Sequence, residues 1–301
     1  MKKMILSTLL ASTLVLTSCD AAESEESTET EEETVVEEVV DEEEVSTETD
    51  ETTDDSEDAT DEEGTEEETE DDTETAKTTE PLYEVSENYA YINVLNGKEA
   101  NKQVALLTYD DAPDKHALEI AQALAEKDAP AIFFVNGMYL ESDEGKAMLE
   151  EIHEMGFAIG NHTHTHPSLP SLSEEKQKEE ILKTSDLVEE IIGSRPRFFR
   201  APFGQNTDYS KEVVKADGMA LMNWTYGYDW EADYQNADAL ADIMVTTNLL
   251  VPGSNLLMHD REWTMEATPA IIDGLREKDY ELLDPNLIQT PDSESEETTN
   301  D

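Results

Sequence analysis

Only one cysteine, Cys19, occurs in the 301 residues, so the chain cannot build an internal disulfide framework. Basic residues are nearly as scarce for the chain's size: 19 Lys and Arg stand against 75 Asp and Glu, for a formal net charge of −56. That balance excludes a nucleic-acid partner, because phosphate recognition needs clustered Lys and Arg. It also disfavours docking on anionic lipid headgroups. No apolar run approaches the roughly 20 residues of a membrane span. The run at 4–15 is too short, and residues 20–80 contain no aromatic residue at all.

What is present divides the chain by composition. Lys2 and Lys3 precede the apolar run, and Leu16-Thr17-Ser18-Cys19 closes it with small residues. This is the pattern of an export leader over 1–18. It resembles the lipobox of bacterial lipoproteins, which implies lipidation at Cys19, a membrane anchor through that lipid, and an extracytoplasmic address facing the cell wall. From 19 to 80 the chain is almost entirely Glu, Asp, Thr, Ser and Val, too poor in apolar surface to offset its ordering entropy. It is expected to be a disordered acidic linker, with a short acidic tail at 291–301. Counting along the sequence places 32 acidic and 3 basic residues before Pro81 and 5 acidic residues after Thr290, which leaves 81–290 at about −22. That stretch is long enough for one sizeable core.

Between 81 and 290 short apolar runs alternate with amphipathic segments. Strands are predicted at 104–109, 131–135, 198–200, 219–226, 255–258 and 281–283. Helices are predicted at 115–126, 143–155, 174–192, 209–216, 237–248 and 263–278. Strand–helix alternation predicts an α/β domain with a mostly parallel sheet or barrel. In a barrel of this kind the chemistry belongs on loops at the C-terminal ends of the strands.

The reactive side chains fall at those positions. Asp110-Asp111 ends the first long strand, and two adjacent carboxylates pointing in different directions let one ligate a metal while the other faces substrate. Three of the six histidines lie in Asn161-His162-Thr163-His164-Thr165-His166-Pro167. His162 and His166 are four apart and share a face if the segment forms a helical turn, as metal ligands require. His164 then points elsewhere, to a pocket wall or the surface. One carboxylate and two imidazoles leave open positions on a divalent ion, as a catalytic site needs. A metal-bound water still requires a base, and the second carboxylate suits that role. Downstream, the Arg200-Ala201-Pro202-Phe203-Gly204 turn offers a guanidinium fork for a carboxylate and free backbone N–H groups. Asp229-Trp230 and Leu257-Met258-His259-Asp260 add a histidine after a buried strand and two aspartates able to pair with it. His116 and His153 match none of these groupings and are expected in surface or packing roles.

Taken in order, these segments resemble the five motifs of the NodB-homology polysaccharide deacetylases, carbohydrate esterase family four, over about 103–284. The resemblance implies a distorted (β/α) barrel of about seven strands, Zn²⁺ (or another divalent cation such as Co²⁺), and a glycan substrate, peptidoglycan or chitin-like. It implies Asp110 as the base, held by Arg200, and Asp111, His162 and His166 as metal ligands. It further implies the Phe203 N–H as an oxyanion donor, His259 as the acid tuned by Asp229, and Trp230 and Leu257 around the acetyl methyl. Two positions depart from the family pattern. Ala112 replaces a glycine, which is expected to narrow the sugar groove, and Tyr226 stands where an aspartate is frequent. The implied reaction is hydrolysis of N-acetyl groups on a cell-wall polysaccharide, with N-acetylglucosamine of peptidoglycan as the expected unit. The same machinery would serve an O-acetyl esterase on xylan or a capsule. Outside the enzymes, the alternative is a wall-binding structural lipoprotein with little turnover; Asp110 and His259 speak against it, since binding alone needs neither base nor acid.

Overall fold

A computed structural model describes residues 80–291. The expected leader, Cys19, the acidic linker up to residue 79 and the tail from 292 lie outside the described residues. The described chain opens with a short antiparallel hairpin, β1 (Tyr83–Val85) and β2 (Ile92–Val94), which the sequence pattern did not reveal. Seven parallel strands follow: β3 (Val104–Ala112), β4 (Ala131–Val135), β5 (Ala158–Asn161), β6 (Phe198–Phe199), β7 (Ala220–Leu221), β8 (Ser254–His259) and β9 (Glu281–Leu282). Their order is β7-β6-β5-β4-β3-β8, with β9 paired to the start of β3. The helices are α1 (Ala117–Glu126), α2 (Asp143–Glu154), α3 (Glu174–Ile192), α4 (Asp208–Ala216), α5 (Ala237–Thr246) and α6 (Glu262–Glu277). The curled, all-parallel sheet with its helices is the distorted (β/α) barrel that the motifs imply.

Strands buried on both faces read as continuous apolar runs, with alternate residues serving two cores. Val104 and Leu106 point inward with Ile132, Phe134, Phe198 and Met222, and the hairpin adds Tyr83 and Ile92 to that interior. Ala105, Leu107 and Tyr109 point outward with Phe133 and Val135, beneath Ile120, Leu124, Ile271 and Leu275 of the helices. Helix starts follow local side-chain chemistry. Ser142, Ser173, Thr207 and Asn236 each accept an N–H from the first turn of α2, α3, α4 and α5 respectively.

Two strand expectations change. The run at 219–226 does not form one strand. Two residues pair with β6, and the chain then crosses to β8, where the Thr225 N–H donates to Asn255 O at 2.8 Å and the Leu257 N–H to Tyr226 O at 2.9 Å. That switch draws β7 and β8 together across the gap in the barrel. The hairpin contributes to the same seam, since the Asn223 N–H donates to Tyr89 O at 2.7 Å and Tyr91 bridges Ser254. β5 escaped the pattern because it is four residues long and contains Gly160. A Cβ at Gly160 would sit 2.4 Å from the Phe134 ring, so the sheet here requires the residue that most weakens a strand signal.

Candidate active site

The site gathers at the C-terminal ends of β3, β5, β6 and β8. Along β3, Asp110 shares the inward parity of Leu106 and Thr108, and strict alternation would send Asp111 to the helix side. Asp111 instead has φ +62°, and the β3–β4 register shifts between Tyr109 and Ala112. The two carboxylates therefore do not diverge as expected. His162 Nε2 lies 3.6 Å from Asp110 Oδ2 and 3.9 Å from Asp111 Oδ1. Ala112 is fully buried in the helix-side core, so its methyl does not narrow the groove. Tyr226 likewise turns away from the site, donating its hydroxyl to Met244 O at 2.7 Å.

The expected helical turn for His162 and His166 is corrected as well. His162 follows β5 directly, and the segment is an irregular turn with Thr163 at φ +69° and His166 at φ +57°. Left-handed backbone at non-glycine residues is costly and persists only where neighbours enforce it. Asn161 Oδ1 accepts the Thr163 N–H at 2.8 Å, and the Asn161 amide donates to Ile181 O and Ser185 Oγ. Glu180 on α3 holds the middle of the turn. Its carboxylate accepts the N–H groups of His164 and Thr165 at 3.0 and 2.8 Å and the Thr165 hydroxyl at 2.8 Å. Neither Glu180 nor Asn161 was singled out as a supporting residue. His164 is neither pocket wall nor surface: it is buried against Lys183 and Glu141, with Nε2 2.7 and 3.1 Å from their polar atoms. His116 precedes α1 and His153 is exposed on α2, and neither lines the pocket.

The donor set fits a divalent ion. Asp111, His162 and His166 each offer one ligand atom, all within 4.8 Å of one another. His162 Nδ1 lies 2.7 Å from Arg200 O, an acceptor only, so Nδ1 carries the proton and Nε2 presents its lone pair to the cluster. Burial favours the neutral imidazole and holds His162 below the usual histidine value, against the pull of Asp110 and Asp111. The 3.6 Å between His166 Nε2 and Asp111 Oδ1 is too long for a hydrogen bond. It is close to the ~3.3 Å separation of two ligands on a tetrahedral zinc.

Arg200 lies fully buried beneath this cluster. Nη1 donates to Asp110 Oδ1 at 2.7 Å and Thr108 Oγ1 at 2.8 Å, while Nη2 donates to Asn223 O at 2.8 Å and Asn255 Oδ1 at 3.1 Å. The Phe134 ring supports the guanidinium, with Cζ 4.3 Å from its centroid. Across the pocket, His259 Nδ1 is 2.7 Å from Asp229 Oδ1, and Asp229 Oδ2 accepts the His259 N–H and the Thr264 hydroxyl. Burial pulls His259 down, but the hydrogen bond and charge of Asp229, with Asp110 and Asp111 beyond, more than offset it and hold the imidazole above its ordinary value. Asp260, the other aspartate considered for this pairing, has a different task. It accepts the N–H groups of Asp114, Lys115, His116 and Ala117 and so fixes the segment that follows the Asp pair.

Asp110, Asp111, His162, His166, Phe203, Trp230, Leu257 and His259 line one cavity of about 470 Å³, together with Trp224 and Arg261. The last two were not anticipated, although Arg261 directly follows the His259-Asp260 pair. Phe203 has φ +59°, is 61% exposed and stacks edge-on against His166 at 4.9 Å. Its N–H donates to no carbonyl among the described residues, as the left-handed turn leaves it free. Trp230 meets the His259 ring edge-on at 5.5 Å, and Leu257 is buried at the cavity floor.

Asp229 controls a measurable property. An acid whose pKa is raised stays protonated to higher pH, so a reaction needing protonated His259 loses rate only above that raised value. Asp229→Asn removes the charge that raises it. The alkaline limb of a kcat/KM–pH profile is expected to move to lower pH, while an unmoved limb would assign that limb to another group.

Residues 97–222 match the family described as polysaccharide deacetylase, a span that includes Asp110 to Phe203 and ends before Asp229 and His259. A peptidoglycan-N-acetylglucosamine deacetylase of Bacillus cereus (strain ATCC 14579) is 33% identical over 196 residues, covering 62% of this chain and 70% of the relative. Among solved structures, the peptidoglycan N-acetylglucosamine deacetylase Bc1960 superposes with a TM-score of 0.56 at 26% identity, covering 62% of this chain and 88% of the other. A CE4-family pseudoenzyme from Bacillus anthracis superposes equally well, with a TM-score of 0.56 at 27% identity over 64% of this chain and 68% of that one. The same scaffold thus also occurs in a protein described as a pseudoenzyme, so catalytic competence depends on the side chains and not on the fold alone. With the motif residues converged on one cavity and these likenesses beside them, the chain belongs to the NodB-homology polysaccharide deacetylases, the hydrolases of carbohydrate esterase family four.

Proposed function

We propose that this chain hydrolyses N-acetyl groups on peptidoglycan, at N-acetylglucosamine units, and releases acetate, with Zn²⁺ held by Asp111, His162 and His166. Co²⁺ would suit the same donors. A divalent ion held there would supply Lewis acidity and would make a bound water acidic enough to attack near neutral pH. Asp110 takes the proton of the attacking water on Oδ2, since its Oδ1 is held by Arg200 at 2.7 Å. The Phe203 N–H donates to the oxygen that gains charge, a contact often worth about 3 kcal/mol. His259 delivers a proton from Nε2 to the departing nitrogen, its Nδ1 being held by Asp229 at 2.7 Å. Trp230 and Leu257 enclose the acetyl methyl.

The observation that carries this reading is the pair of locked groups on opposite sides of one cavity. Asp110 with Arg200 and His259 with Asp229 each leave a single proton-transfer atom free toward the same space. The choice of polymer rests on the peptidoglycan deacetylases among the relatives and on the proposed export and lipidation at Cys19. A lipid-anchored chain with an acidic linker would work near the wall. The test is acetate release from N-acetylated peptidoglycan and from chitin oligomers by the whole Zn²⁺-loaded chain. Release that a chelator abolishes is expected, with peptidoglycan the better substrate. A folded, ion-loaded chain that releases nothing from either would favour a wall-binding role.

A further inference from the structure

Arg261 contributes a cationic side chain to the cavity wall, while Arg200 is buried beneath the site. Nη2 lies 3.2 Å from Asp111 Oδ2, and Nη1 donates to Asp260 O at 3.0 Å. The side chain is 39% exposed. A guanidinium has five N–H donors. Two are engaged here, which leaves three donors on a side chain that lines the cavity.

Asp110 is already matched by Arg200. Asp111 is the one carboxylate of the ligand cluster, so with a divalent ion in place it must serve both the ion and Arg261. The two histidine ligands are neutral when they bind. The loaded cavity is therefore net positive, inside a domain that is otherwise strongly acidic. A neutral sugar gains nothing from that excess, whereas a carboxylate placed near Arg261 relieves it and matches the planar fork.

We infer that Arg261 is a specificity residue that selects glycans bearing a free carboxylate within one sugar of the scissile acetamide, as in peptide-free muramic-acid-containing strands. The inference rests on the deacetylase reading and refines its substrate class. The net acidity of the domain acts with it, disfavouring polyanions except where this carboxylate meets the guanidinium.

The test compares kcat/KM on a peptide-free tetrasaccharide of alternating N-acetylglucosamine and N-acetylmuramic acid with kcat/KM on chitotetraose. In Arg261→Gln the ratio of the two values is expected to fall about tenfold, the scale of one charged hydrogen bond. Arg261→Lys should retain part of the preference, because it keeps charge without the fork. A second readout needs no turnover: calorimetric affinity of the muramic tetrasaccharide for the ion-loaded Asp110→Asn chain, with and without Arg261→Gln. An unchanged ratio with unchanged affinity, even if both rates drop, would overturn the inference and leave Arg261 as a support for Asp111. If the native chain releases acetate from neither glycan, the deacetylase reading fails, while the calorimetry still decides whether Arg261 binds the carboxylate.

Discussion

Asp110→Asn is expected to lower kcat by about a thousandfold, within the range that removal of a general base produces, while the chain keeps its ion. The substitution leaves an oxygen to accept from Arg200 Nη1, and removes both the carboxylate charge and the ability to take a proton at the second position. Asp110 is not one of the three clustered ligands, so ion content measured by atomic emission should match that of the native chain. His162→Ala supplies the contrast. It removes a ligand whose Nε2 is aimed by the Nδ1–Arg200 O bond, and both ion and turnover should be lost. Near-normal kcat in Asp110→Asn would place the base elsewhere in the cavity.

Arg200→Met is expected to cost about 3–5 kcal/mol of folding stability, the usual loss when one partner of a buried ion pair is removed. Arg200 is fully buried and ties together β3, β8 and the crossing segment 222–226 through Asp110, Thr108, Asn255 and Asn223. Methionine fills part of the volume and leaves the Asp110 carboxylate, 2% exposed, without its counter-charge. Urea midpoints give the measurement. The double variant Arg200→Met/Asp110→Asn separates charge from packing. If the uncompensated carboxylate causes most of the loss, the double variant recovers much of it. If the double variant is as unstable as the single one, lost hydrogen bonds and packing are the cause.

The parts of the fold that could be read in advance were those whose residues repeat a period. The apolar run opening β3 and the apolar stripe of α3 each declare an element because burial selects the same residue type at every inward position. β7 and the crossing at Thr225-Tyr226 do not, because one continuous run changes partner midway, and nothing local marks that change. At the site the chemistry-bearing residues were legible by type and order, from Asp110 to His259. Their directions were not. Asp111 and His166 reach the cluster through left-handed backbone, which depends on a local Asn161–Thr163 bond and, more distantly in sequence, on Glu180 and the β3–β4 register shift. Arg261 was missed for another reason: nothing in its type or position in the sequence distinguishes it, and only its 3.2 Å approach to Asp111 sets it apart.

The opening hairpin has a mechanical consequence. β1 lies between β2 and the closing segment of the domain: Tyr83 pairs with Val94 on one side and bridges Ile288 on the other. The Leu82 N–H donates to Leu287 O, and the Gln289 N–H to Tyr83 O. Tension applied to the chain upstream of Glu80 would therefore be borne first by this small clasp. The hairpin also holds the sheet directly, with the Ile92 N–H donating to Gly253 O, the Gly253 N–H to Val104 O, and Tyr91 bridging Ser254, so load would reach β3 and β8 at their starts. A domain hauled on from its amino-terminal side would thus be loaded at the strand starts, whereas its carboxylates and imidazoles stand at or beyond the opposite ends, Asp110 and Asp111 late in β3, His162 after β5 and His259 closing β8.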